Sequence, residues 1–232
     1  MASRIEWPGI ATVEQFFNQA QASSDHLLDA IDLLLKATKD PGPWGGRNRG
    51  ADNASLESAL SVSGSLWTVN PGGDGIVERI DSTAMDQAKT AAGVEDIARD
   101  DLLEAWNRAY GRDPDASDAW DHSIKAVEHI YSPLVLSAQA ANDQSTLGKV
   151  IGQLAGNRAG WTAEIVTDPN DPSSGVDVIR SMMQALWGNP DRHGGGASWR
   201  APELAEAQAL VQIAVTLVQW GRQGVLRKRA KP

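Results

Sequence analysis

DASDAWDHSIKAVEHIYSP, residues 115–133, is the stretch on which the fold turns. Trp120, Ile124, Val127 and Tyr131 recur at i, i+4, i+7 and i+11, which draws one apolar stripe along an α-helix. Asp115 or Ser117 supplies the N-cap, and Pro133 is expected to end the helix. Toward the C-terminus the same pattern repeats. Thr146 caps Leu147, Val150, Ile151 and Leu154, stopped by Gly156; Val176, Ile179, Met183, Leu186 and Trp187 follow the polar loop Asp168–Gly175. A last helix starts with Pro202 at its first position and Glu203 in its first turn, and carries Leu204, Leu210, Val211, Ala214, Leu217 and Val218 up to Gly221.

Toward the N-terminus, Gly111–Ala116 combines glycine, proline and aspartates, and the main boundary is placed there. Before it, a helix from about Val94 to Tyr110 buries Ile97, Leu103, Trp106 and Tyr110, and another, capped by Asp81 or Ser82, runs through Ala92. Leu66–Val69 and Ile76–Ile80 flank the turn Asn70–Gly75, which predicts a small hairpin and is the one strong strand signal. Ser55–Val62 makes a short helix after the glycine- and proline-rich loop Asp40–Asn53. Thr12 with Gln15 forms a capping box for one long first helix, bent near Ser23, that carries Phe16, Ala20, Leu27, Ile31, Leu34 and Leu35. The expected architecture is mainly α: a helical N-terminal half, 1–112, with a β-hairpin near 66–80, a helical bundle over 113–222, and a basic tail, 223–232. No repeat of 20 to 50 residues is evident.

The 232 residues carry a formal charge of −9, 41% hydrophobic and 22% charged residues, the balance of an ordinary water-soluble globular chain. No apolar run reaches the roughly 18 residues of a membrane helix, since Asp29 and Asp32 interrupt Leu27–Leu35. Met1–Trp7 has no basic segment leading into an apolar one, so a cytoplasmic address without membrane contact is expected. With no cysteine, disulfides, thiolate metal sites and cysteine nucleophiles are excluded. Residues 1–112 hold 10 basic and 17 acidic residues, net −7, and residues 113–232 hold 11 and 13, net −2. Phosphate contact must therefore come from a local cluster. Arg222, Arg227, Lys228, Arg229 and Lys231 form one near the end, expected as a solvated, frayed terminus with weak polyanion contact as the alternative.

Ser123–Ile130, then Ser145–Ile151, then Asp191-Arg192-His193-Gly194-Gly195 before an alanine-rich helix, together resemble the abortive-infection C-terminal family, within the HEPN-type helical domains. The likeness covers roughly 113–222; through Leu66–Ile80 and Ala105–Tyr110 the full chain also resembles actinobacterial proteins that carry the same module. The resemblance implies a HEPN-like bundle, pairing of two copies, a defence or stress setting and RNA as a candidate partner. In RNase members, an Arg-x(4-6)-His motif from each copy lines a shared cleft and needs no cofactor or metal. Histidine moves protons at the 2′-oxygen and leaving group, while arginine stabilises developing phosphoryl charge. His193 occupies the motif's histidine position, but the residues shortly before it, Trp187, Gly188 and Asn189, include no arginine. The carried-over catalytic set is His193, Arg192 and Asn189, with Arg180, Trp199 and Arg200 as binding residues. Asn189 can donate hydrogen bonds to phosphate but brings no charge. The bland alternative for His193 is a surface residue bracing the last helix. The rival function is a noncatalytic dimerisation or partner-binding protein that recognises a protein through its acidic N-terminal half, with 74–104 as the contact.

Other constellations are weaker. His122 and His129 lie seven apart on one helix near Asp118 and Asp121, but two ligands do not make a metal site. Asp25 with His26, and Asp100 with Asp101, fit solvated helix faces. Gly45–Gly50 lacks the Lys-Ser/Thr ending and preceding strand of a phosphate loop. Of the nine tryptophans, Trp106, Trp120, Trp187 and Trp220 fall on apolar stripes, whereas Trp44, Trp161 and Trp199 are expected in loops.

Overall fold

A computed structural model describes residues 12–37, 49–136, 145–190 and 200–229. Their architecture is mainly α, with two small antiparallel sheets. The expected first helix is instead two, α1 (Val13–Ala20) and α2 (Ser24–Ala37). Thr12 Oγ1 accepts the Gln15 N–H at 3.2 Å, as its sequence position predicts. The Ala22 N–H then turns back to Gln19 O, tightening the end of α1, and Ser23 Oγ accepts the His26 N–H at 3.1 Å and starts α2. A local polar cap thus converts the anticipated bend into a break.

Helix α3 (Arg49–Val62) leads into the hairpin of β1 (Trp67–Val69) and β2 (Ile76–Glu78), paired Trp67 to Glu78 and Val69 to Ile76. Glu57 of α3 accepts from Thr68 Oγ1 at 2.6 Å and Val69 N–H at 3.0 Å, and pairs with Arg79. Burial pushes its carboxyl up, but these bonds and the guanidinium outweigh it and hold Glu57 below the usual range. Inside the turn, the buried Asn70 side chain donates to Asp74 and Asn107 and accepts from the Asp74 N–H. Asp32 of α2 accepts the Ile76 N–H at 2.9 Å.

Helix α4 (Ser82–Ala91) is capped by Asp81 and α5 (Ile97–Tyr110) by Asp96. Ile97, expected inside, is 64% exposed: it is the first residue of its helix, and the buried face begins with Ala98, Leu102 and Leu103. Helix α6 (Ala116–Val135) begins after the Asp115 cap and runs past Pro133. The proline lies in the last turn, where one missing N–H costs little, and the Leu136 N–H still reaches Ser132 O at 2.8 Å. Then come α7 (Leu147–Gly156), a 3-10 turn (Arg158–Gly160), β3 (Trp161–Ala163), α8 (Ser174–Trp187), α9 (Leu204–Gln223) and β4 (Leu226–Lys228). Helix α9 starts two residues after Pro202, with Glu203 as N-cap, and ends beyond Gly221 at Gly224, whose φ of 69° and the Val225 N–H to Trp220 O bond close its C-terminus.

The core lies between α5, α6 and α9, and its residues come from both sides of Gly111–Ala116: Trp106 and Tyr110 pack with Ile124, Val127, Val211 and Val215. Tyr131 OH donates to Leu217 O at 3.0 Å, and burial pushes its phenol up. Where α6 and α9 cross, Gly221 leaves no room for a side chain; a Cβ there would sit 2.2 Å from Ile130 Cγ2. Helix α8 joins through Trp120, whose Nε1 donates to Leu186 O at 2.7 Å.

Two expectations about the chain's end are overturned together. Residues 226–228 are a strand, not a frayed tail, and Trp161 lies in the strand they pair with, not in a loop. The register sets Trp161 opposite Lys228 and Ala163 opposite Leu226, burying Trp161, Ala163 and Leu226 on one face. Burial of that apolar face, more than the three-residue ladder, supplies the driving force.

Candidate functional site

The segment proposed from sequence to carry chemistry joins α8 to α9. His193, Arg192 and Trp199 lie outside the described residues, as does Trp44; Asn189, Arg180 and Arg200 lie within them. At its start, the α8 C-cap Gly188 N–H bonds Gln184 O, and the next residue, Asn189, is buried. At its end, Arg200 forms a two-pronged pair with Glu206, both contacts 2.6 Å, while Glu206 also accepts the Glu203 N–H at 3.0 Å. The guanidinium and this backbone bond drive Glu206 down to about 2, and Arg200 is pushed up in return. Arg200 therefore braces the start of α9.

Arg180 stands apart from Asn189 along α8. It lies eight residues before Gly188 on one helix, about 12 Å along the axis, and its guanidinium faces Asp177 at 3.3 Å and Gln184 at 3.5 Å. The three described candidates thus divide into a buried amide at the root of the segment, a cation fixed at its far end, and a cation one helix segment away.

A second cluster stands at the α5–α6 contact and corrects the reading of Asp101. Asp100 is solvated, but Asp101 is largely buried between two imidazoles: His122 Nδ1 at 2.7 Å and His129 Nε2 at 3.2 Å. His122 Nε2 also faces Asp118 at 3.6 Å, and Lys125 pairs with Asp121 at 2.8 Å. Asp101 orients both rings and ties α5 to α6. Among the described residues no group of three or more His, Asp or Glu side chains is placed to hold a metal ion. Sequence reasoning missed this bridge, although the seven-residue spacing of His122 and His129 puts them on one face, within reach of a shared partner.

The acidic stretch 74–104 is partly consumed internally. Asp96 pairs with Arg222 at 2.5 Å and Glu104 with Arg108 at 2.8 Å, while Asp100 stays open to solvent. No helix among the described residues is long and apolar enough to cross a membrane. No family model, curated protein or solved structure matches the chain.

Proposed function

We propose that the chain is a cytoplasmic, HEPN-like helical protein of a defence or stress response, which pairs with a second copy of itself and presents the segment around His193 to RNA. The observation that supports this most is how the two helices flanking that segment are held: α8 is pinned to α6 by the Trp120–Leu186 bond, and Arg200 and Glu206 fix the first turn of α9. A short connection between two fixed helix ends suits a reactive loop on a stable scaffold. In the catalytic form of the proposal, His193 exchanges the proton with the 2′-oxygen, Arg192 meets the developing phosphoryl charge, and Asn189 donates a hydrogen bond, without metal.

The noncatalytic form, a dimerising or partner-binding protein, is favoured by the engagement of Arg180 and Arg200 with carboxylates of their own chain. Cleavage of labelled RNA in excess EDTA, with light scattering on the same sample, separates the two. Loss of cleavage in His193→Ala at unchanged melting temperature supports the nuclease, and cleavage untouched by that change rejects it. A dimer without cleavage leaves the noncatalytic form, and an inactive monomer at micromolar concentration defeats the nuclease and the pairing and leaves only binding to a different protein.

A further inference from the structure

The chain is acidic overall, yet three consecutive cations mark its last strand and the residue after it. Arg227, Lys228 and Arg229 are consecutive, exposed and held in extended backbone by pairing with β3 and by the Arg229 N–H to Gly160 O bond of 2.9 Å. Beside them run Arg158, bonded to Asp177 at 2.6 Å and to Asp171, and Arg180, facing the other oxygen of Asp177 at 3.3 Å. Arg229 reaches the same loop, since its guanidinium donates to Ser173 Oγ while the Ser173 N–H bonds Asp171 at 2.9 Å.

The distribution of partners points outward. Arg158 and Arg180 have Asp171 and Asp177, but among the described residues no carboxylate forms an ion pair with Lys228 or Arg229. Lys228 lies 5.6 Å from the Trp161 ring centre, and Arg229 donates to Ser173 Oγ at 2.9 Å. Arg227 does pair with Glu164, yet both are more than half exposed, and such a pair contributes little and exchanges readily. Strand alternation sets Arg227 and Arg229 on the face opposite to Lys228, which lies with Trp161, so four cations stand beside three carboxylates and Lys228 adds its charge across the strand.

We infer that the β3–β4 surface binds the phosphate backbone of single-stranded RNA, as a site built from residues outside the segment around His193. An extended strand advances about 3.3 Å per residue, so Arg227 and Arg229 are about 6.6 Å apart on the same face, a linear spacing that suits successive phosphates better than the staggered carboxylates of an acidic helix. Trp161 is buried against the core and offers no face for a base to stack on. Contact is therefore electrostatic, tolerant of sequence and steep in salt.

The test uses the full chain and a fluorescein-labelled 2′-O-methyl oligouridylate, whose blocked 2′-oxygen resists cleavage, titrated across a salt series. The triple variant R227Q/K228Q/R229Q is expected to bind at least about tenfold more weakly at low salt, with the slope of log K against log salt reduced by about 2. Glu164→Gln, which releases Arg227, is expected to tighten binding about threefold. Absence of binding by the natural chain, an unchanged slope in the triple variant, or weaker binding by Glu164→Gln overturns the inference. Equal competition by a polyglutamate peptide also overturns it, in favour of an acidic protein. If the triple variant melts early, the Glu164→Gln result alone decides. The nuclease reading is judged by cleavage of unmodified RNA and this site by the change in binding on R227Q/K228Q/R229Q, so failure here and failure of that reading stay distinguishable.

Discussion

The α5–α6–α9 core and the α1–α2 pair are both helical, but different forces hold them. In the core, Trp106, Ile124, Val127, Val211 and Val215 are essentially sealed from water, and polar bonds such as Tyr131 to Leu217 O merely satisfy buried groups. In the α1–α2 pair, Val13, Phe17, Leu27, Leu33 and Leu34 remain about half exposed or more. That pair is fastened to the body chiefly through charge: Arg112 donates to Asp29 at 2.9 and 2.7 Å while lying 4.7 Å above the Trp67 ring, and Asp32 takes the Ile76 N–H. The helix period alone therefore does not say how firmly a helix is attached. Apolar burial makes one unit cooperative, whereas a few charge-assisted bonds make a local attachment that can open by itself.

The contrast can be broken most directly in the core. Trp106→Ala is expected to cost about 3–5 kcal/mol and to lower the single melting transition of the whole body. Its indole N–H has no hydrogen-bond partner among the described residues, so Trp106→Phe should lose much less. Equal losses in the two variants, measured by urea denaturation, would mean that the indole polarity and not the ring volume matters. Next in size is Gly221→Ala, which must push Ile130 or part α6 from α9, at about 1–3 kcal/mol. A neutral outcome in the same denaturation series would show that this helix crossing is loose.

Arg112→Ala sharpens the other side of the comparison. It removes both bonds to Asp29 and the stack on Trp67, and about 1–2 kcal/mol of local stability is expected to go with them. Hydrogen exchange should then accelerate across residues 24–37 while protection in α5 and α6 stays constant. Uniform acceleration everywhere would instead make α1–α2 part of the cooperative core.

How much of this was legible in the sequence follows the same divide. The stripe Trp120–Tyr131, the caps at Thr12, Asp81, Asp115 and Thr146, and the Asn70–Gly75 turn are local features, and each was found where its sequence signal lay. Strand β4 was hidden because three residues rich in arginine and lysine carry no alternation of their own; their partner, Trp161, lies far back in the chain. Asp101 looked like Asp100 because nothing local says which of two adjacent carboxylates will face the histidines of another helix. Of the candidate site, sequence could nominate Arg180 and Arg200 as cations but could not foresee that Asp177 and Glu206 would occupy them.

The smallest expected effect concerns the start of α9, where the brace at Arg200 is exposed and depends on one ionised carboxylate. Glu206 titrates near 2 in the folded chain against 4.5 ordinarily. Because the folded value is the lower one, its contribution is fully present above about pH 4.5 and is lost as pH falls toward 2. The melting temperature of the natural chain should therefore exceed that of Glu206→Gln by a small margin at pH 6, and the margin should close between pH 4.5 and 2. Other carboxylates held low, such as Glu57 and Asp171, lower both curves alike and leave the difference to Glu206. A margin independent of pH would mean that the neutral amide braces Arg200 and the Glu203 N–H as well as the carboxylate does. The start of α9 would then belong with the core, held by shape, and not with α1–α2, held by charge.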